Sequence, residues 1–334
     1  MFNKFIFIAL VFGSRLFGQE GLPIYTDYLT DNYYLVHPAM AGAELFGGKT
    51  RLTARKQWFD QEDSPSLQTF STSYRLSDRS GVGGILFNDK NGYYSTSGIN
   101  ITYAHHVLFD DKEGSCSCNY PNHENPINQL SFGLSVGALQ HSLDQTTFDL
   151  FSFDPLITGL KKSLFYFNVD IGFSYLNSNF YAHLSLKNLL FSPHNLYGDF
   201  DYNYRRSSSS YRRLLASAGK FFYLEKNWIF EPSFLFQITE ITREKSIDLN
   251  LKVYRELKRG RLWTGISLRN GFENAQYTID GDVQRQNLKT LTPLMGYQVN
   301  NFVFAYNFSQ TQGAISFGSG GFHQITLGFN FAQR

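Results

Sequence analysis

Long apolar runs are what this sequence has least of. Beyond its first twenty residues nothing approaches the ~20 consecutive apolar residues of a membrane helix, so any membrane crossing has to be made by strands. Charge is sparse too: 17% of the 334 residues are charged and the net charge is +2. No broad basic surface is available, and no nucleic-acid partner is expected. Methionine appears three times, against 33 Phe and 21 Tyr. Apolar content that is aromatic and β-branched suits a pleated sheet better than a helix. Also missing are a nucleophile elbow, an HExxH pair and a phosphate loop, since the glycines of "GVGG" (81–84) open a strand and not a helix. No enzyme activity and no cofactor are expected.

The one apolar stretch of note is at the start. "MFNKFIFIALVFGSRLFGQE" has Lys4 as a short basic region and Phe5–Phe12 as an apolar core of secretory-signal length, with Gly18 before Gln19 as the cleavage point. Leu16 is larger than usual for its place, and Arg15 is unusually late. No Cys follows the apolar core to carry a lipid anchor. Residues 1–18 therefore read as a cleavable signal peptide, and roughly 300 residues remain, enough for two ordinary domains or one large β architecture.

Period-two alternation runs through that remainder. In "SIDLNLKVY" (246–254), Ile247, Leu249, Leu251 and Val253 alternate with Asp248, Asn250 and Lys252. Phe165–Phe173, Phe180–Leu186, Phe230–Ile238, Phe302–Phe308 and Ile325–Phe331 repeat the pattern. Fourteen such segments fall near 49–57, 68–75, 81–88, 94–106, 129–140, 164–175, 179–188, 211–223, 228–239, 246–257, 261–270, 288–298, 301–310 and 320–331. A ten-residue strand rises about 33 Å, and a tilt near 40° brings this to about 25 Å, the height of an outer-membrane apolar band. Sandwich strands are usually shorter, about five or six residues.

The connections support the same architecture, because outer-membrane barrels have short periplasmic turns and longer outer loops. From the fifth segment onward, 141–163, 189–210, 271–287 and 311–319 are long, whereas "NSN", "EKN", "KRG" and "VNN" are tight, with "TREKS" (242–246) shorter than an outer loop should be. The link at 107–128 is long where a short turn is expected. Mean hydropathy is −0.28, which a barrel tolerates, since half of every strand and all its loops are polar. The expected fold is all-β: a transmembrane up-and-down antiparallel barrel of about fourteen strands, over 49–334, preceded by an N-terminal periplasmic or plug segment at 19–48. Outward rings would face outer-membrane lipid. The inward set Asp170, His183, Lys187, Glu231, Asp248, Asn250 and Lys252 would pair across strands, or line a filled lumen that conducts little. An exported β-sandwich adhesin is the soluble alternative.

Several short motifs, in order, resemble the PorP/SprF outer-membrane proteins of the type IX secretion and gliding machinery of Bacteroidota. "HPAMAG" (37–42), with Pro38 and Gly42, is similar to the family's Asn-Pro-Ala-x-Ala-Gly start, His37 standing in for Asn. "RKQW", with Arg55, Gln57 and Trp58, followed by Pro65, is similar to its Arg-x-Gln-Trp…Pro-x-Thr segment. "GVGGILFNDKNG" (81–92), with Asn88, Asp89 and Gly92, resembles its Gly-x-Gly hairpin, and "YAHH" with Tyr103 the strand that follows. "LSFGLSVG" (130–137), Asp154–Pro155, "LSLKNL" with Asn188, and "GGFHQITL" with His323 come in the expected sequence. Three departures stand out: Gln324 replaces an acidic residue, three residues follow Phe331, and the 107–128 insertion is extra. The resemblance implies an outer-membrane secretion component that docks secreted adhesin-like cargo or couples to periplasmic, peptidoglycan-linked secretion subunits. The rival is an outer-membrane diffusion channel or hydrophobic-solute transporter.

The insertion carries "SCSCNYPNHEN". Cys116 and Cys118 with His123 supply at most three metal ligands at irregular spacing, so no metal site is expected. In an oxidising compartment the two thiols are expected to form a local or intermolecular disulfide or to stay labile. His105 and His106 are adjacent in a strand and face opposite sides. His183 and Ser185 lie about 7 Å apart along one strand, too far to hydrogen bond. The aromatic loops following Trp58, at 190–206 and at 272–281 suit protein recognition.

Overall fold

A strand with one apolar and one polar face is stable only where the two faces meet different surroundings, and ring closure supplies an outside and an inside. The computed structural model describes residues 27–44, 47–57, 64–109, 128–148, 157–190, 211–224, 227–240, 243–272, 275–279, 282–312 and 321–332. It is a closed, fourteen-stranded antiparallel barrel. In chain order the strands are β1 (Gly48–Gln57), β2 (Ser66–Ser77), β3 (Ser80–Asn91), β4 (Tyr94–Leu108), β5 (Asn128–Asp144), β6 (Lys161–Asn177), β7 (Phe180–Lys187), β8 (Arg213–Lys220), β9 (Phe222–Leu224), β10 (Trp228–Thr239), β11 (Lys245–Leu257), β12 (Gly260–Gly271), β13 (Ala275–Ile279), β14 (Asp282–Gln286), β15 (Lys289–Val299), β16 (Phe302–Gln312) and β17 (Phe322–Phe331). β8 and β9 are two pieces of one barrel strand, broken at Phe221, and both pair with β10. β1 pairs with β17 from Gly48↔Phe331 to Gln57↔Phe322, which closes the ring.

The opening alternation resolves as one face inside and one outside. Asp248, Asn250 and Lys252 are buried in the interior, whereas Leu249 and Leu251 are exposed on the wall. Leu134, Phe167, Leu184, Phe304 and Leu327 share that outer surface, which faces the hydrocarbon of the outer membrane. A two-layer sandwich would bury these side chains between sheets.

Gly48 and Phe331 lie at the same end of the ring, and the tight turns at 78–79, 178–179, 258–259 and 300–301 lie there too, which makes it the periplasmic end. Two of these turns need left-handed backbone: Ser178 and Asn300 have φ of 47° and 51°, a region that Asn enters more readily than most residues. β4 ends and β5 begins at the periplasmic end as well, so the long 107–128 link is compatible with the topology. Two details differ from the sequence reading. The link at 271–287 contains a separate hairpin, β13 paired with β14, because Val283, Tyr277 and Ile279 give it enough β character to fold back on itself. The segment near 211–223 is interrupted at Phe221, which turns its ring inward and bonds its N–H to the Asn179 carbonyl at 2.7 Å.

Candidate functional site

The barrel interior is occupied by the chain itself. Residues 28–44 enter it, folded as three short 3₁₀ turns at Asp27–Thr30, Tyr33–Leu35 and Pro38–Met40. This stretch, "YLTDNYYLVHPAMAGAE", has no period-two alternation, so no strand forms, and Pro38 presets the third turn. Leu35, His37, Ala39 and Ala41 are all completely buried.

Glycines on the wall make room for it. A Cβ on Gly133 would sit 2.3 Å from the backbone of Pro38 and Ala39, and one on Gly81 would sit 2.1 Å from the Ala41 carbonyl oxygen. Gly81 and Gly133 thus mark close approach of one backbone to another, whereas Gly83 makes room for the Tyr34 ring. Gly42 is confined for a second reason: it has φ +59°, and its Cβ would lie 2.5 Å from the Tyr74 carbonyl oxygen.

Side chains then fasten the segment to strand after strand. Tyr28 donates to Asp248 at 2.7 Å, Asn32 to Ser71 at 2.9 Å and Tyr34 to Thr102 at 2.8 Å. His37 lies between two strands, its Nδ1 2.7 Å from Ser185 Oγ on β7 and its Nε2 2.8 Å from Ser217 Oγ on β8. Lys187 donates to the Leu35 carbonyl at 2.8 Å and Arg75 to the Gly42 carbonyl at 3.0 Å. His106 Nε2 is 3.1 Å from the Ala41 carbonyl oxygen. Lys49 and Arg51 of β1 reach Asp31 at 3.0 and 3.4 Å. Burial pushes the His37 imidazole well below its ordinary pKa, with His183 and Lys187 adding to the effect, so the ring is neutral at pH 7.

The buried charges are matched. Glu231 is fully buried and accepts from Lys252 at 2.9 Å, Tyr181 at 2.5 Å, Tyr33 at 3.1 Å and Tyr254. Asp248 receives a bidentate pair from Arg269, at 2.6 and 2.7 Å, in addition to Tyr28. Asp170 accepts from Asn168 and from the Asn188 backbone, both at 2.9 Å, with Lys187 3.8 Å away. Cross-strand pairing and contact with the interior segment both occur, often at the same residue. A cavity of about 50 Å³ between the segment and β1–β2, lined by Asp31, Tyr34, Glu44, Lys49 and Ser71, has room for a few waters rather than a solute. Among the described residues no three His, Cys, Asp or Glu side chains gather as a metal site would require.

The residues singled out from motifs scatter over the molecule. Pro38 and Gly42 belong to the interior segment. Arg55 points inward with its guanidinium 5.1 Å from the Phe322 ring, and Gln57 bonds through its backbone N–H to the Pro65 carbonyl at 3.0 Å. Asp89 faces in, while Asn88 faces out and accepts from Ser97 at 2.8 Å. Gly92 makes the β3–β4 turn with φ 60°. Asn188 ends β7 at φ 60° and donates to the Tyr211 carbonyl at 3.2 Å. Tyr103 and His323 lie on the lipid-facing side, bonded to Ser80 at 3.1 Å and Tyr306 at 2.8 Å. Trp58, Cys116, Cys118, Asp154 and Pro155, and the aromatic stretch at 191–206, lie outside the described residues. His106 is buried and His105 exposed, as opposite faces require; His183 bonds Ser174 at 2.7 Å and not Ser185.

Sequence reasoning passed over Tyr28, Asn32, Tyr33, Tyr34 and the anchoring role of His37. The signal for them was available: a segment dense in Tyr and Asn ahead of the first strand, without alternation, has to satisfy its polar groups somewhere enclosed.

Fold and interior together define an outer-membrane β-barrel filled from its own N-terminal side. The model of the family described as type IX secretion system membrane protein PorP/SprF matches residues 18–329, and the chain belongs to that family. Among solved structures it is similar to the Acinetobacter baumannii outer membrane protein Omp33, at 7% identity and TM-score 0.46, covering 87% of this chain and all of that one. It is likewise similar to a deltaS2 mutant of the TodX monoaromatic hydrocarbon channel, at 8% identity and TM-score 0.48, covering 91% and 94%. The translocator domain of the autotransporter NalP from Neisseria meningitidis matches at 11% identity and TM-score 0.33, covering 85% and 88%. No curated protein matches. The chain is a type IX secretion system membrane protein of the outer membrane.

Proposed function

We propose that this barrel is a docking component of type IX secretion, binding secreted adhesin-like cargo or coupling the outer membrane to periplasmic secretion subunits, and not a conduit. The observation that carries the reading is the interior segment, buried and bonded to strands β1, β2, β4, β7, β8, β10 and β11. A barrel whose passage is filled by its own chain has its two rims left for function. Residues 1–18 act as the export signal in this reading, 19–48 form the interior segment and its approach, and the rest is the barrel. Family membership makes other secretion subunits the natural partners, and the loops beyond the wall, including the one with Cys116 and Cys118, are the surfaces that would choose among them.

The test is affinity capture from outer membranes with a tag at an outer loop. Secretion subunits or cargo C-terminal domains in the eluate support docking, and only unrelated porins would reject it. Planar-bilayer recording separates the rival: docking expects near-zero current, whereas a diffusion channel conducts. Non-reducing mass spectrometry checks the thiols, where free Cys116 and Cys118 would reject a disulfide-linked role for the insertion.

A further inference from the structure

Cations on the lipid-facing wall gather in one sector of the periplasmic rim. Parity turns Lys220 of β8 and Arg255 of β11 outward, and the β11–β12 turn adds Lys258 and Arg259; all four are exposed. Aromatic rings stand among them. The Arg255 guanidinium lies 4.9 Å from the centre of the Trp228 ring, its direct partner across the β10–β11 ladder. The Lys220 ammonium lies 5.3 Å from the Phe222 ring. Tyr297 completes the group by donating to the Arg259 carbonyl at 3.2 Å. Among the described residues the nearby carboxylates are committed elsewhere: Glu231 faces the interior with Lys252, and Glu256 is paired with Arg261. Across the ring, the same rim offers Arg79 next to Asp78, among Tyr74, Leu76 and Leu130.

This placement has a specific chemical consequence. The rim lies at the headgroup level of the inner leaflet, where Trp and Tyr settle. A guanidinium there can hold phosphate oxygens in a fork, and lysines add point charge. Directly beside the cations are Phe222, Leu224, Leu257 and Leu262, each between 42% and 57% exposed on the same wall. An occupant must therefore carry negative charge and hydrocarbon together, with the charge at the rim and the hydrocarbon against the strands. We infer that this sector is a binding site for an anionic phospholipid of the inner leaflet, with Arg255, Lys258 and Arg259 on the headgroup and Trp228 packing beside it.

The experiment places the full barrel in nanodiscs containing phosphatidylethanolamine and phosphatidylglycerol, then releases it for native mass spectrometry. The wild type is expected to retain phosphatidylglycerol preferentially. The triple variant Arg255→Gln, Lys258→Gln, Arg259→Gln should lower that retention about a hundredfold, in line with about fivefold per cation at an anionic surface, and Arg79→Gln should leave it unchanged. Heat-modifiable gel mobility confirms the variant is folded. Should the triple variant not fold, quenching of wild-type tryptophan fluorescence by headgroup-labelled phosphatidylglycerol, relieved by Trp228→Phe, carries the test. Equal retention by variant and wild type would overturn the site, as would equal loss with both lipids or no relief of quenching. Loss of a co-purifying acidic subunit with lipid retention intact would overturn it as well, reassigning the patch to a protein.

Discussion

The β5–β6 ladder runs from Asn128↔Asn177 to Asp144↔Lys161, while the β7–β8 ladder stops after the eight residues of each short strand. Both walls face the same interior segment. Against β5 and β6 it lies backbone to glycine, with Gly133 and Gly172 admitting Pro38 and Ala39 and few polar links between them. Against β7 and β8 the links are side chains: Tyr33 to Tyr181, His37 to Ser185 and Ser217, and Lys187 to the Leu35 carbonyl. Where the ladder is long, the wall holds its own shape and needs only a fitted surface. Where it is short, fewer backbone bonds of about 1 kcal/mol each secure the seam, and His37 bridges its two strands from inside. The segment both fills the lumen and braces the weaker part of the ring.

The comparison is broken most severely on the long wall. Valine at Gly133 would place its Cβ 2.3 Å from main-chain atoms that have no flexible end to swing aside. The Gly133→Val variant is expected to expel the segment, so that single-channel recording changes from a closed baseline to discrete openings, or to fail assembly and lose heat-modifiable mobility. A closed, normally assembled Gly133→Val barrel would show that the fit on this wall is unimportant.

Beside the other wall, the largest effect should come from Glu231 of β10, which accepts from Tyr181 of β7. Glu231→Ala strands Lys252 as a buried cation and leaves three tyrosine hydroxyls without their acceptor, a loss of about 3–5 kcal/mol in urea unfolding followed by tryptophan fluorescence. Changing both members, Glu231→Leu with Lys252→Met, should recover much of this, since removing a buried pair costs less than breaking it. A double variant as unstable as the single one would mean that the tyrosines, not the ion pair, carry the stability.

Much of this architecture was legible in the chain. Alternation such as Leu249–Asn250–Leu251–Lys252 fixes which side faces lipid, and the tight "NSN" and "VNN" turns fix which end is periplasmic, because both are local properties of backbone and side chain. The inward charged set was legible by parity alone. What parity could not provide was partnership. That Glu231 meets Tyr33 or that His37 spans Ser185 and Ser217 depends on a segment 148 to 198 residues away in sequence, and no local pattern encodes such a meeting. Glycine was the partial exception: Gly81 and Gly133 sit on the inward face, where a missing side chain implies something close. Trp58, the Cys116–Cys118 pair and Asp154–Pro155 depend on connections outside the described residues.

A more moderate effect is expected at the brace itself. His37→Ala removes two buried hydrogen bonds at once, and should cost about 1–3 kcal/mol locally, read as faster hydrogen exchange over residues 33–41. His37→Asn, the residue of the family pattern, should fall between alanine and wild type. The same ring gives a pH dependence. Its folded-state pKa lies well below the ordinary value because of burial, so its contribution is complete above about pH 6.5 and is lost progressively as the pH falls toward the lowered value. Protection factors in the segment, referred to the intrinsic exchange rate at each pH, should therefore fall below about pH 6.5 in the wild type, and the part due to this ring should vanish in His37→Asn. An identical acid response in both would assign it to the other histidines facing the segment, His106 and His183.

The smallest effect sharpens the inside–outside contrast with one type of residue. Thr102 and Tyr103 are neighbours in β4 and point to opposite sides; Tyr34 donates to Thr102 in the buried interior at 2.8 Å, and Tyr103 meets Ser80 on the exposed wall at 3.1 Å. Deleting the hydroxyl in Tyr34→Phe leaves a buried threonine short of a partner, which should cost about 1 kcal/mol or somewhat more. Tyr103→Phe removes an exposed bond whose groups can meet water or a headgroup instead, and should stay within about 0.5 kcal/mol of wild type. Both are measured by the same unfolding assay. Equal costs would mean that the interior is wetter than its packing implies, and the segment would then be held by shape and not by its hydrogen bonds.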